Sequence, residues 1–233
     1  MDFTLLATDA CRVPDCCNRD SYDQTFGDRF ARRIARRYRK RGLDPTRSRL
    51  IDFLSAHGIE DATVLEVGGG IGELHVELLR RGARAATNLE ISTSYEQEAA
   101  RLLEGSGLAN RVTRRFLDIA TAPDEVEPAD IVVLHRVACC YPDYERLLAA
   151  AASHARQLLV FSHPPRSLHT RLSFGFDNLI RRLRRNDFRG FVHRPDAMVA
   201  VVEAQGMTLR YRHRGLWWTV VGFERPGRPA VTA

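Results

Sequence analysis

The stretch Val64-Leu65-Glu66-Val67-Gly68-Gly69-Gly70-Ile71-Gly72-Glu73-Leu74 constrains this chain more than any other. Apolar residues around one acid run into a glycine cluster, and an amphipathic helical pattern, Leu74 to Leu79, begins at once. That order reads as buried strand, tight turn and helix. Glycines in such a turn take positive φ and, lacking Cβ, let a ligand lie against the backbone. The first N–H groups of the helix face the same spot. A dinucleotide pyrophosphate is excluded as that ligand, because the Gly-x-Gly-x-x-Gly fingerprint fails: counted from Gly68 its last position is Glu73, and no other start fits.

Around this unit the pattern alternates. Strands are expected over 62–67, 84–89, 111–116, 129–134 and 157–162, with helices over 71–81, 93–105 and 143–152 among them. Repeated strand–helix units imply a parallel sheet with right-handed crossovers and helices on both faces. Residues 163–194 break the rhythm. His163-Pro164-Pro165 leaves the fifth strand, 168–183 reads as helix, and Arg181-Arg182-Leu183-Arg184-Arg185 ends it; such an insertion would cover the ligand end of the sheet. A helix over 195–205, with Pro195 in its first turn, leads to strands 207–214 and 216–223, which are one turn apart at Gly215 and so antiparallel. Upstream, residues 1 to about 24 show no periodicity. Phe26, Phe30, Ile34 and Tyr38 then recur at every fourth position among arginines, an amphipathic helix ending near Gly42. A second helix, from Pro45 to His57, buries Leu50, Ile51 and Leu54, with Gly58 beyond its end.

At 233 residues and 44% hydrophobic, the chain can build one main domain with a full core. Phe3 to Ala10, with Asp2 and Asp9, is too short and polar for a signal peptide, and no apolar run reaches the length of a membrane span. A cytoplasmic location is expected. The net charge of +6 would suggest nucleic acid or an acidic surface as partner. Lys40 is, however, the only lysine, so the excess is arginine and reads as coding bias; the runs at 32–41 and 181–185 could hold phosphate or an acidic acceptor, with solvated helix faces as the plainer reading. Cys11, Cys16, Cys17, Cys139 and Cys140 are an odd set with two vicinal pairs, which argues against a disulfide framework.

With Glu66 two residues ahead of Gly68-x-Gly70-x-Gly72, the opening stretch resembles the first motif of class I S-adenosylmethionine-dependent methyltransferases. In that family the glycine backbone lies against the methionine part of the cofactor and the acid anchors its surroundings. The parallel strands finishing in an antiparallel hairpin match the family's arrangement, so the resemblance covers roughly residues 60 to 223. It implies an α/β fold: a Rossmann-like doubly wound seven-stranded sheet, parallel except for the last strand, with a helical N-terminal lid. Residues 1–57 would be the arm and lid helices, 58–225 the S-adenosylmethionine-binding domain with its 163–194 lid insertion, and 226–233 a disordered tail. The cofactor would be S-adenosylmethionine and the product S-adenosylhomocysteine.

Glu90 ends the second strand, which puts a carboxylate at the crevice where a ribose lies, able to accept from both hydroxyls; Ile91 follows it. The resemblance implies that Asp118 accepts from the adenine amino group while Ile119 packs on the ring. His135 leaves the fourth strand beside the expected sulfonium, and its ordinary pKa suits a general base, although its backbone alone would also touch cofactor. Together with Tyr22, the stretch Cys139-Cys140-Tyr141-Pro142 resembles the magnesium protoporphyrin O-methyltransferase-like branch. That branch has His-Tyr-Pro where this chain has Cys140-Tyr141-Pro142, so the architecture carries over and the substrate does not. His135, Tyr22 and Tyr141 are the catalytic candidates, and Tyr144, His163 and His169 the remaining polar rings expected to face the pocket. For each of these, core packing or cofactor contact is an equal reading.

Methyl transfer from a sulfonium mainly needs alignment and desolvation, so sequence points to the donor more than to the acceptor. The function expected is methyl transfer to an oxygen or nitrogen of a small-molecule acceptor. The alternatives are RNA methylation and a non-methylating S-adenosylmethionine-binding protein, a cyclase or a scaffold. No Asp/Asn-Pro-Pro-Tyr follows the fourth strand, which argues against the common base-amino methyltransferases; nucleic acid is not the expected partner. A homodimer is compatible with the sequence. A soft-metal site joining Cys16 and Cys17 to Cys139 and Cys140 would have no standard zinc spacing, and no metal is expected.

Overall fold

The computed structural model describes residues 19–227. Cys11, Cys16, Cys17 and most of the tail expected to be disordered lie outside the described residues. Strands β1 (Thr63–Val67), β2 (Ala85–Glu90), β3 (Val112–Phe116), β4 (Ala129–His135), β5 (Ala155–His163), β6 (Thr208–Arg214) and β7 (Thr219–Glu224) form one sheet in the order β3-β2-β1-β4-β5-β7-β6. Neighbours among the first five pair in parallel, and β7 runs antiparallel to both β5 and β6. Only the last strand is therefore reversed. The helices among the described residues are α1 (Arg19–Thr25), α2 (Asp28–Arg41), α3 (Pro45–His57), α4 (Glu73–Arg80), α5 (Glu96–Ser106), α6 (Tyr144–His154), α7 (Leu168–Leu183) and α8 (Pro195–Ala204).

The two faces of the sheet are sorted by the alternation of its side chains. On β4, Ile131 and Val133 join a core with Leu50, Leu54, Leu74 and Leu78 of α3 and α4. Val132 and Leu134, one residue out of phase, join Leu147, Leu148 and Ala151 of α6 and Met198 and Val202 of α8 on the opposite face. Being covered on both sides is why the central strands β4 and β5 carry unbroken apolar runs in the sequence.

Three local results depart from the sequence pattern. Residues 19–25, in the stretch without periodicity, are helical. Seven residues are too few to show a period, and α1 is held by tertiary contacts: Tyr22 packs edge-on against Phe188, with ring centroids 5.5 Å apart. Helix α3, grouped with the lid, buries Phe53 against β7 so closely that a Cβ on Gly222 would stand 2.6 Å from the Phe53 ring. The last strand starts at Thr219 rather than 216. Residues 215–218 form a turn closed by Gly215 N–H donating to the Trp218 carbonyl at 3.1 Å, which frees Trp218 to stack over Arg136.

Candidate functional site

The strand order reverses between β1 and β4, and in sheets of this kind ligands bind at the carboxyl ends beside that reversal. The glycine turn occupies the end of β1. Gly68 and Gly70 have φ of 64° and 58°, a left-handed conformation that disfavours side chains. Gly69 is fixed by space instead: an added Cβ would lie 2.0 Å from Asn88 Nδ2 and 2.7 Å from Glu66 Cδ. The Glu66 carboxylate is tucked beneath the turn, where Oε2 accepts from His75 Nδ1 at 2.6 Å and from the His75 amide at 3.3 Å. This ties β1 to the first turn of α4. The His75 ring takes the space that a Gly72 side chain would need, 2.2 Å from the Cβ position. Gly72, counted with the cofactor residues, thus accommodates His75 and is absent from the cavity wall that Gly68, Gly69 and Gly70 form.

Glu90 ends β2 and is 8% exposed. Its Oε2 accepts from the Gly70 amide at 2.8 Å, and its Oε1 from the Ile91 and Ser92 amides at 2.8 and 3.1 Å. Burial raises its pKa, against the pull of those amides and of Arg114. Asp118, past β3, accepts the Ala120 amide on Oδ1 at 2.9 Å and the Tyr141 hydroxyl on Oδ2 at 2.7 Å. Leu89, Ile91, Leu117 and Ile119 give this end of the cavity its apolar walls.

At the end of β4, Ser162 Oγ accepts the Arg136 amide at 3.0 Å and lies 2.9 Å from His135 Nδ1. His135 Nε2 is buried without a hydrogen-bond partner among the described residues. Burial, with Arg47 and Arg136 nearby, holds the His135 pKa well below its ordinary range, so the ring is neutral at pH 7. Arg136 has φ of 61°, a conformation that costs a non-glycine residue about 1 kcal/mol or more. Its guanidinium lies 4.5 Å from the Trp218 ring centroid and 3.5 Å from Asp44 Oδ2. Asp44 also caps α3 through the Thr46 and Arg47 amides and pairs with the Arg47 guanidinium, which reaches Glu73 at 2.6 Å. Burial would raise the Asp44 carboxyl, but Arg47 and Arg136 outweigh it and hold the pKa down. At Glu73 burial prevails over Arg47 and the pKa is raised.

These groups border one cavity of about 700 Å³, within the range of small-molecule sites. Helices α1 and α2 lie over it. Ala31 and Ala35, being small, let α2 settle on Ile71 and Tyr95 beside the glycine turn, while Phe26, Phe30 and Ile34 turn toward the cavity. Phe188 from the insertion packs on Tyr22 and Phe26, and Arg181 Nη1 donates to Thr25 Oγ1 at 3.1 Å. The Phe191 amide donates to the Cys139 carbonyl at 2.7 Å, closing the insertion onto the end of β4.

Of the polar rings picked out in the sequence, Tyr22, His135 and Tyr141 line the cavity. The hydroxyls of Tyr22 and Tyr141 already donate, to the Cys140 carbonyl and to Asp118, each at 2.7 Å. Tyr144 packs at a tilt on His193, His163 is buried with Nδ1 at the Pro164 carbonyl, and His169 packs edge-on to Trp217; none of the three belongs to the wall. Both sulfurs of Cys139 and Cys140 approach the Arg136 carbonyl at 3.5 Å. No cluster that could hold a metal ion occurs among the described residues. Arg136, Asp44, Arg47, Phe188 and Trp218 escaped the sequence reading. Two weak signals existed: Asp44 ahead of Pro45 marks a helix cap, and Arg136 directly follows a strand end.

A family model described as a methyltransferase domain matches residues 30–225. Among solved structures, the chain is similar to magnesium protoporphyrin IX methyltransferase from Synechocystis PCC 6803 with bound SAH, at 18% identity over 88% of this chain and 93% of that one, with a TM-score of 0.65. It is also similar to an O-methyltransferase family protein from Burkholderia thailandensis, at 18% identity over 89% and 61% of the two chains and a TM-score of 0.68. An O-methyltransferase family 2 protein from Planctomyces limnophilus in complex with apigenin gives 18% identity, 84% and 61% coverage and a TM-score of 0.63. At these identities the likeness is one of fold. No curated protein matches the sequence.

Proposed function

The chain belongs to the methyltransferase-domain family, and on that premise we propose that it takes a methyl group from S-adenosylmethionine and places it on an oxygen or nitrogen of a small-molecule acceptor. The observation that carries this reading is that one cavity wall holds both Gly68, Gly70, Glu90 and Asp118 and the aromatic rings of Phe26, Phe30, Phe174, Phe188 and Trp218. The first group suits the cofactor. Two left-handed glycines leave the turn bare of side chains, and Glu90 is already oriented by three amides, two on Oε1 and one on Oε2, which keeps a lone pair for a ribose hydroxyl. Ile91, Leu117 and Ile119 offer apolar faces to a base, with Asp118 beside them for its amino group. Glu66 acts from beneath, holding the turn through His75.

Once bound, the cofactor supplies a methyl group already activated on a sulfonium. The protein's part is alignment and the exclusion of water. The aromatic side chains of α1, α2 and the insertion form the water-excluding wall, and residues 163–194 together with α1 and α2 act as the lid. His135 is neutral at pH 7 and its unpartnered Nε2 accepts a hydrogen bond from the acceptor O–H or N–H. Its depressed pKa makes it a weak base, which suffices, because methylation turns the acceptor atom cationic and its proton strongly acidic. Tyr22 and Tyr141 act as positioning residues. Action in the cytoplasm, in small-molecule biosynthesis, completes this reading.

Calorimetric titration with S-adenosylhomocysteine, followed by a screen of phenolic, carboxylic and amine acceptors for release of S-adenosylhomocysteine, tests it. Binding with acceptor-dependent release supports it. Binding without release under any acceptor favours a non-methylating protein, release only with RNA favours an RNA enzyme, and absence of binding removes the proposal.

A further inference from the structure

Helix α7 turns its apolar side outward. Leu168, Leu172, Phe176, Leu179 and Leu183 are spaced by four, four, three and four, which puts them on one helical face, and they are 72%, 65%, 65%, 53% and 76% exposed. The opposite face meets the protein: Thr170 is buried, Phe174 and Arg181 line the cavity, and Asn178 holds both the amide and the carbonyl of Gly190 at 2.8 Å. The stripe is therefore not a core face left unfilled. Leu216 and Trp217, 69% and 50% exposed, join it. His169 fastens them there, with Nε2 2.8 Å from the Leu216 carbonyl and its ring edge-on to Trp217 at 5.2 Å. Scattered exposed apolar residues need no explanation, but a contiguous stripe of this kind marks a contact surface.

Charge decides what it contacts. Arg166, Arg171, Arg182, Arg184 and Arg185 are exposed around the stripe, whereas the acid within α7, Asp177, is paired with Arg181 at 2.8 Å. Packing α7 on α7 of a second copy would set the same arginines against one another, because a two-fold contact repeats the patch on both sides. An anionic surface complements them. We infer that α7, with the 215–218 turn, docks on the anionic phospholipid surface of a membrane, its leucines and Phe176 in the acyl boundary and its arginines at the phosphates. No helix among the described residues is long and apolar enough to cross a membrane, so the association is peripheral. The docked helix is also a wall of the cavity, which brings the lid to the lipid surface.

The test is flotation of the full chain with phosphatidylcholine vesicles and with mixed phosphatidylcholine–phosphatidylglycerol vesicles, at low and high salt. Mixed vesicles should bind about tenfold or more tightly than phosphatidylcholine alone, and salt should weaken that binding. Joint replacement Leu172→Gln, Phe176→Gln and Leu179→Gln should cut binding to mixed vesicles by about tenfold or more without moving the unfolding midpoint, since all three side chains already stand in solvent. Joint replacement Arg182→Gln, Arg184→Gln and Arg185→Gln should abolish the preference for anionic vesicles. Wild-type protein that ignores mixed vesicles, or a glutamine variant that binds them undiminished, overturns the inference. So does a dimer, seen by sedimentation, that binds no vesicles and that the Leu172/Phe176/Leu179 replacements convert to monomer.

Discussion

The Tyr141 hydroxyl donates to Asp118 Oδ2 at 2.7 Å, joining the loop after β4 to the loop after β3 beneath the cavity. A phenol already engaged with a carboxylate is poorly placed to remove a proton from an acceptor. Its effect on the reaction is to hold Asp118 in orientation. Tyr141→Phe should therefore weaken S-adenosylhomocysteine binding by about fivefold to tenfold, the scale of about 1 kcal/mol for one intramolecular hydrogen bond, while kcat at saturating cofactor stays within about twofold. A fall in kcat of a hundredfold with unchanged cofactor affinity would instead make Tyr141 a proton-transfer residue.

Glu90 presents both oxygens to backbone donors, Gly70 on one and Ile91 and Ser92 on the other. In Glu90→Gln one oxygen becomes an amide NH2, and whichever way the group turns, a donor faces a donor. A buried hydrogen bond exchanged for that clash costs about 1–3 kcal/mol, so thermal unfolding should occur several degrees lower. The affinity for S-adenosylhomocysteine should drop about tenfold or more, because the same carboxylate is assigned to the ribose. Unchanged affinity in a folded variant would remove Glu90 from the site.

Most strands and helices were legible because they bury one face or both, and burial writes its period into the sequence; α1 is too short to show a period, and the period of α7 comes from a stripe that stands in solvent. The glycine turn was legible because Gly68 and Gly70 need a backbone that side chains disfavour. The line from Arg136 through Asp44 and Arg47 to Glu73 was not. Its members come from the end of β4, the start of α3 and the start of α4, and ion pairing between distant segments leaves no periodic trace. Trp218 was hidden for a related reason: its apolar neighbourhood reads as strand, and only the stacking on Arg136 draws it into a turn. Glu66, the acid ahead of the glycines, does line the cavity, but its hydrogen-bond partner His75 sits inside an ordinary helical pattern and gave no signal.

Two glycine substitutions separate space from propensity. Gly69→Ala drives a methyl group to 2.0 Å from Asn88 Nδ2 and 2.7 Å from Glu66 Cδ, both fixed in the interior rather than free to swing away. Overpacking at such a place costs about 3 kcal/mol, and denaturant unfolding should show at least that loss together with weakened cofactor binding. Gly105, inside α5, has nothing within 4 Å of its Cβ position. Gly105→Ala should stabilise by about 0.5–1 kcal/mol through helix propensity and leave binding alone. Equal effects at the two positions would contradict the close packing of the turn.

His135 gives a pH dependence with a definite sign. Its folded pKa lies well below the ordinary value of 6.5, first because it is buried and then because Arg47 and Arg136 oppose a further positive charge. Between the folded and unfolded pKa values the unfolded chain binds the extra proton, so stability rises with pH across that window. The contribution is fully present above 6.5 and is lost as pH falls toward the folded value. His163 and His193 are shifted the same way by burial and add to the slope, so the wild-type curve alone does not isolate one residue. His135→Gln does, since Gln fills a similar space without titrating. Measured by urea unfolding, the advantage of wild type over His135→Gln should shrink by about 1–2 kcal/mol between roughly pH 7.5 and pH 5, given about 1.4 kcal/mol per pH unit for one proton. If that difference is the same at both values, His135 is not held neutral in the interior, and an unpartnered Nε2 waiting for an acceptor proton has no basis.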